Sequence, residues 1–203
     1  TRPNNLLLIG IMSYLTIWTN NQLVLIDYAK IQFSNYGLNK DKEVGIECLK
    51  KAIELGSPKA MSMYGILLSE KNNVIENNYV EAVKYLKMAI DNGDTEAMNQ
   101  YAYMLSVGKG VKMNKEEAIK YYKMGIQRGD PESMNYYGLM LEEGDGVPVN
   151  YEEAIKYYEM AIEKGNVKAM FNYGIMLFKG KGVPINKKEG IKYIRNSANN
   201  GLV

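Results

Sequence analysis

The feature that most constrains this chain is a short element that returns at a fixed interval. GKGVKMNKEEAIKYY starts at Gly108, GDGVPVNYEEAIKYY at Gly144 and GKGVPINKKEGIKYI at Gly180, each 36 residues after the last. A glycine pair ahead of a helical pattern could cradle a phosphate, but one chain has little use for three such cradles. The pairs also lack the third glycine of GxGxxG, and no Gly-Lys-Ser/Thr follows them. They read as turns between two helices.

The same interval divides most of the chain into copies at 94–129, 130–165 and 166–201, closing on Gly129, Gly165 and Gly201. Residues 57–93 form a fourth copy with one residue inserted near Asn77, and 21–56 a fifth, degenerate one that closes on Gly56. A period of this size marks stacked helical hairpins.

Within each copy, two apolar stripes follow the 3.6-residue helical period. Ser133-Met134, Tyr137-Gly138 and Met140-Leu141 mark the first helix, and Ala154-Ile155, Tyr158 and Ala161-Ile162 mark the second. No hairpin can cover both stripes alone, so each needs neighbours. Asn78, Asn114, Asn150 and Asn186 each stand three residues before a glutamate, a spacing close to the capping box. The closing glycines suit the left-handed conformation that ends a helix. These boundaries predict an all-α chain, an α/α solenoid of helix-turn-helix repeats.

Composition narrows function further. There is no histidine, which removes the usual general base, the usual zinc ligand and every Ser/His or Cys/His pair. The adjacent acids Glu116-Glu117 and Glu142-Glu143 diverge on a helix and cannot share a reacting atom. The expectation is no catalytic residue, no metal and no cofactor. Cys48 cannot form an internal disulfide, which fits a reducing, cytoplasmic compartment, and its place in a helical stripe predicts buried filler. Lys and Arg number 25 against 23 for Asp and Glu, so the net charge of +2 gives no reason to expect nucleic acid or a membrane as partner.

The apolar run Leu6–Trp18 has thirteen residues, fewer than the roughly 18 to 20 of a spanning helix. Residues 1–20 are expected to be an N-terminal apolar capping helix, a signal segment or an incomplete preceding segment.

The motif set of small residue, Tyr-Gly, Gly-x-Gly-Val-Pro, Asn cap, Ala-hydrophobic, aromatic pair and closing Gly resembles the Sel-one-like repeat, a relative of the tetratricopeptide repeat. The resemblance covers 57–201 well and 21–56 weakly. Two departures stand out. Tyr64, Tyr101, Tyr137 and Tyr173 occupy the place where the family usually has leucine, with Leu68, Leu105, Leu141 and Leu177 where it has tyrosine; an exchange between adjacent layers can conserve core volume. The first copy has Asn35-Tyr36-Gly37 for Gly-x-Gly and Gln32 for a leucine.

The resemblance implies a right-handed superhelix and a non-catalytic scaffold or adaptor that binds other proteins. If the chain coils as its tetratricopeptide relatives do, Ile66, Tyr103, Leu139 and Ile175 line the concave face. Asn99, Asn135 and Phe171 flank them a turn earlier and Phe178 a turn later. Such an apolar line edged with amides suits a peptide segment; equally, neighbouring first helices could bury it within the stack. The alternative function is a structural subunit of a larger assembly or filament, since no polar cap follows the last repeat and its apolar layer calls for further sequence or a neighbour.

Overall fold

The structure is a computed structural model that describes residues 21–33, 42–70 and 75–202. Leu6–Trp18 and Asn35-Tyr36-Gly37 lie outside the described residues. Among the described residues ten α-helices follow one another: α1 (Gln22–Phe33), α2 (Lys42–Glu54), α3 (Pro58–Ser69), α4 (Tyr79–Asp91), α5 (Thr95–Val107), α6 (Lys115–Gln127), α7 (Pro131–Glu143), α8 (Tyr151–Glu163), α9 (Val167–Lys179) and α10 (Lys187–Ser197). A kinked π-type turn, Ala198–Leu202, follows α10. No strand occurs among the described residues. The odd-numbered helices are the first of each hairpin and the even-numbered the second. The chain forms two compact units, Thr1–Gln100 and Tyr101–Val203.

The joints between hairpins explain the period. At Gly165 (φ 82°) the chain turns left-handed, and the amides of Gly165 and Asn166 donate to the Ile162 and Ala161 carbonyls. That is the paired closure of a Schellman motif. Asn166 then caps α9, its Oδ1 accepting from the Ala169 amide at 2.8 Å. Asp130 caps α7 in the same way at 2.7 Å, and Ser57 and Asp94 do so in the first unit. One Gly-polar pair therefore ends a repeat and starts the next. The predicted caps of the second helices form as well: Asn150 Oδ1 accepts from the Glu153 amide while Asn150 Nδ2 donates to the Glu153 carboxylate.

The glycine pairs are turns, as the recurrence predicts. Gly144 (φ 73°) ends α7 in the left-handed region, and the Asn150 amide returns to the Leu141 carbonyl at 2.9 Å. Gly146 has a second reason to be glycine. A Cβ there would stand 2.8 Å from Lys115 Cβ, at the start of the second helix one repeat back. Gly182 meets Tyr151 in the same way. The turn of one repeat thus rests on the hairpin before it, and the Lys115–Asp145 ion pair spans that junction.

In the second unit the hairpins close on tyrosine pairs, of which Tyr101 and Tyr137 are buried and the others half-buried. Tyr101, Tyr137 and Tyr173 meet Tyr121, Tyr157 and Tyr193 edge to face, with ring centroids 5.0–5.2 Å apart. Such pairs contribute about 0.5–1.5 kcal/mol beyond the area they bury. Gly138 lets α8 approach closely: a Cβ there would lie 3.0 Å from the Tyr158 ring. Met104, Met140 and Met176 are buried in equivalent positions.

The first unit repeats the scheme in α3 and α4, where Tyr64 meets Tyr85 at 5.0 Å and Gly65 abuts Leu86. The degenerate hairpin α1–α2 has its own core of Leu25, Ile26, Ala29, Leu49 and Ala52. Gln32 is buried where a leucine is expected. Cys48 is fully buried, and burial first, then the Glu47 carboxylate, pushes its thiol up to about 11. It is filler, as its column predicts.

Candidate functional site

The expected site residues fall into two groups when their surroundings are compared. On the first helices of the second unit, Tyr103 is exposed and Leu139 and Ile175 are half-buried at equivalent positions. Phe171 is half-buried, and Phe178 is exposed with Lys187 Nζ 5.7 Å from its ring centroid. In the first unit, Ile66 is half-buried on α3. The two asparagines differ. Asn99 is 9% exposed and Asn135 only 2%.

Asn135 faces the next hairpin, where its Oδ1 accepts from Asn172 Nδ2 at 3.0 Å. Ser62, at the equivalent position on α3, is fully buried too. The asparagine column is thus turned toward a neighbour in the stack, while the Tyr103 column remains accessible. Successive residues on a helix differ by roughly 100°, so a step of one position moves a side chain from surface to junction.

One position on, the polar side chains are half-buried: Gln100 in the first unit, whose amide donates to Ser69, and, in the second unit, the phenol of Tyr136 and the amide of Asn172. Tyr136 was not among the expected residues, although it is the aromatic neighbour of the core Tyr137. Its ring stacks on Tyr122 at 5.4 Å and lies 6.5 Å from Tyr103, and Lys168 Nζ sits 5.7 Å from its centroid. Lys168 also pairs with Glu132 at 3.3 Å. The result, in the second unit, is an aromatic platform of Tyr103 and Tyr136 beside Leu139, Asn172 and Ile175, with a charged pair at its edge. Tyr122 beneath it is buried, and burial pushes its hydroxyl well above the usual tyrosine range. It supplies a rigid backing.

The arrangement offers contact area and hydrogen bonds to a bound chain. Among the described residues, no group of three or more His, Cys, Asp or Glu is placed to hold a metal ion. No helix among them is long and apolar enough to cross a membrane. The second unit also carries two open clefts, the second of them lined in part by the Glu132–Lys168 pair at the platform's edge. One of about 450 Å³ is floored by Ile126, Tyr157 and Met160 on the second helices, and one of about 280 Å³ lies at the joints around Gly165 and Gly201.

Comparison with known proteins places this geometry in a class. The Sel1 repeat profile matches residues 27–57, 58–94, 95–130, 131–166 and 167–202, and the chain belongs to the Sel1 repeat family. A solved Sel1 repeat protein from Oxalobacter formigenes is 25% identical, with a TM-score of 0.77 over 90% of this chain and 74% of its own. A protective antigen of uropathogenic Escherichia coli with an SLR fold is 26% identical at a TM-score of 0.72; the match covers 90% of this chain and 39% of the antigen. An immunity protein of Pseudomonas aeruginosa, 17% identical at a TM-score of 0.64 over 90% of this chain and 70% of its own, shares the fold. No curated protein matches. The family resemblance and the all-α repeat solenoid expected from the sequence are both borne out. Sel1 repeat proteins are generally protein-interaction scaffolds.

Proposed function

We propose that this chain is a non-catalytic scaffold or adaptor that holds a segment of another protein on the accessible face of its first helices, the face that the family resemblance implies to be concave. The observation that carries this reading is the platform in the second unit: Tyr103, exposed, with Leu139 and Ile175, half-buried, at corresponding positions of successive first helices, and Tyr136 beside Tyr103, backed by the buried Tyr122. A Tyr-rich patch binds at low entropic cost, because each ring has few rotatable bonds to fix. Asn172 supplies a side-chain amide for the main chain of a bound segment, a role the buried Asn135 is less able to fill. A reducing compartment, the cytoplasm, is the proposed location, on the strength of one lone, buried cysteine.

The test is affinity capture with mass spectrometry, comparing the natural chain with a Tyr103→Glu/Leu139→Glu variant. Loss of the same co-purifying protein from the variant, with unchanged helical circular dichroism, supports the reading. Capture that survives both charges overturns it.

A further inference from the structure

The net charge of +2 hides a separation between neighbouring repeats. Residues 131–166 contain eight Asp or Glu against two Lys, whereas residues 167–202 contain seven Lys or Arg against one Glu. Some of these charges meet within the chain: Lys168 pairs with Glu132 and Lys181 with Glu142. Others do not. The side of α8 that faces away from α7 carries Glu152, Glu159 and Glu163 with Lys156, all exposed. The equivalent side of α10 carries Lys188, Lys192 and Arg195, also exposed. Lys188, Arg195 and Glu163 have no ion-pair partner among the described residues. Exposed apolar side chains sit among the charges, Met160 at 42% and Ile191 at 45%.

We infer that these two faces dock on a second copy of this chain, α8 of each copy lying on α10 of the other. The complementary surface is present on the chain itself, so no unknown partner chemistry is required. Acidic and basic helices at corresponding places in adjacent repeats fit a two-fold axis, in which every contact occurs twice. The alternatives α8 on α8 and α10 on α10 bring like charges together, which selects the crossed arrangement. Met160 and Ile191 lie near the centre of the contact, where water is excluded. This surface is distinct from the Tyr103–Tyr136 platform, so both can be occupied at once.

Sedimentation of the full chain over a range of concentrations tests the inference. Self-association is expected at low ionic strength and should weaken as the screening length falls from ~10 Å near 0.1 M salt to ~3 Å near 1 M. Glu152→Lys/Glu163→Lys and Lys188→Glu/Arg195→Glu should each weaken association by about tenfold or more. An equimolar mixture of the two variants should associate again, because charge-reversed α8 then meets charge-reversed α10. Circular dichroism of each variant checks that the exposed substitutions leave the helices folded. A natural chain that stays monomeric at low salt overturns the inference, as does association indifferent to both reversals. A chain that binds anionic vesicles or heparin through α10 while remaining monomeric also overturns it, and assigns the basic face to an anionic polymer or surface.

Discussion

Two neighbouring repeats fill the same junction with opposite chemistry. In residues 131–166 the fully buried Tyr158 donates its hydroxyl to Glu142 Oε2 at 2.9 Å. Glu142, 8% exposed, receives Lys181 Nζ from the following turn at 2.8 Å. In residues 167–202 the corresponding positions are Ile194 and Phe178, half-buried and exposed. A polar chain must be satisfied at every link, since a buried carboxylate left unpaired is costly, whereas an aliphatic contact asks only for shape. The Tyr158–Glu142–Lys181 chain therefore ties one repeat to the next in a single register. The apolar version leaves its surroundings freer to adjust.

The sharpest way to break this comparison lies at the closest helix approach in the apolar repeat. A Cβ on Gly190 would stand 2.7 Å from the Gly174 carbonyl oxygen and 2.9 Å from the Phe178 nitrogen, both backbone atoms that cannot rotate away. Gly190→Val should cost about 3 kcal/mol in urea unfolding. At Gly165, by contrast, nothing lies within 4 Å of an added Cβ and only the φ of +82° opposes substitution. Gly165→Ala should cost about 1–2 kcal/mol. Equal losses at the two glycines would show that packing is not what distinguishes them.

Next in size is the polar chain. Tyr158→Phe removes a donor from a buried, ion-paired carboxylate and should cost about 1.5–3 kcal/mol. Ile194→Val, the milder counterpart in the neighbouring repeat, should cost about 0.5–1.5 kcal/mol. Combining Tyr158→Phe with Glu142→Leu should cost less than the sum of the two single changes, because the second removes the group that the first leaves short of a partner. Simple additivity would argue against a coupled chain.

Smaller effects are expected at the repeat boundaries. Asn150→Ala deletes one cap of α8 and should lower stability by about 1 kcal/mol. Lys156→Ala breaks an exposed i to i+4 pair with Glu152 and should change it by less than about 0.5 kcal/mol.

The pH dependence has a definite sign. Burial raises the Cys48 thiol from 9.0 to about 11 and lifts the Tyr158 hydroxyl far above its ordinary range, helped by Glu142. The unfolded chain ionises these groups first, so their contribution is complete below the unfolded values and is lost as pH rises. Urea midpoints should fall progressively from pH 9 to 11 through Cys48. Cys48 should also resist a thiol reagent near neutral pH until the chain is denatured. Rapid modification of the native chain would place it at the surface.

Much of this was legible beforehand, for reasons that are local. The left-handed glycines and the asparagine caps act within four residues, and the buried Tyr137 and Met140 follow from a stripe that a helix must hide. The first-helix caps Asp130 and Asn166 were readable in principle, directly after the closing glycines. Burial of Asn135 was not, because a helix carries no mark of which flank its neighbour will cover. Glu142 was harder still. Beside Glu143 it looks like part of a solvated acidic pair, and only Tyr158 and Lys181, 16 and 39 residues away, account for its burial.

The sequence alone determined the repeat, the helix ends and the need for each hairpin to be covered, since periodicity and capping are properties of the chain near each residue. The tertiary structure decided which flank became junction and which stayed open, setting Asn135 inside and Tyr136 on the accessible platform. That choice depends on contacts about one repeat apart, where close packing of backbone and side chains leaves only one side of a helix uncovered.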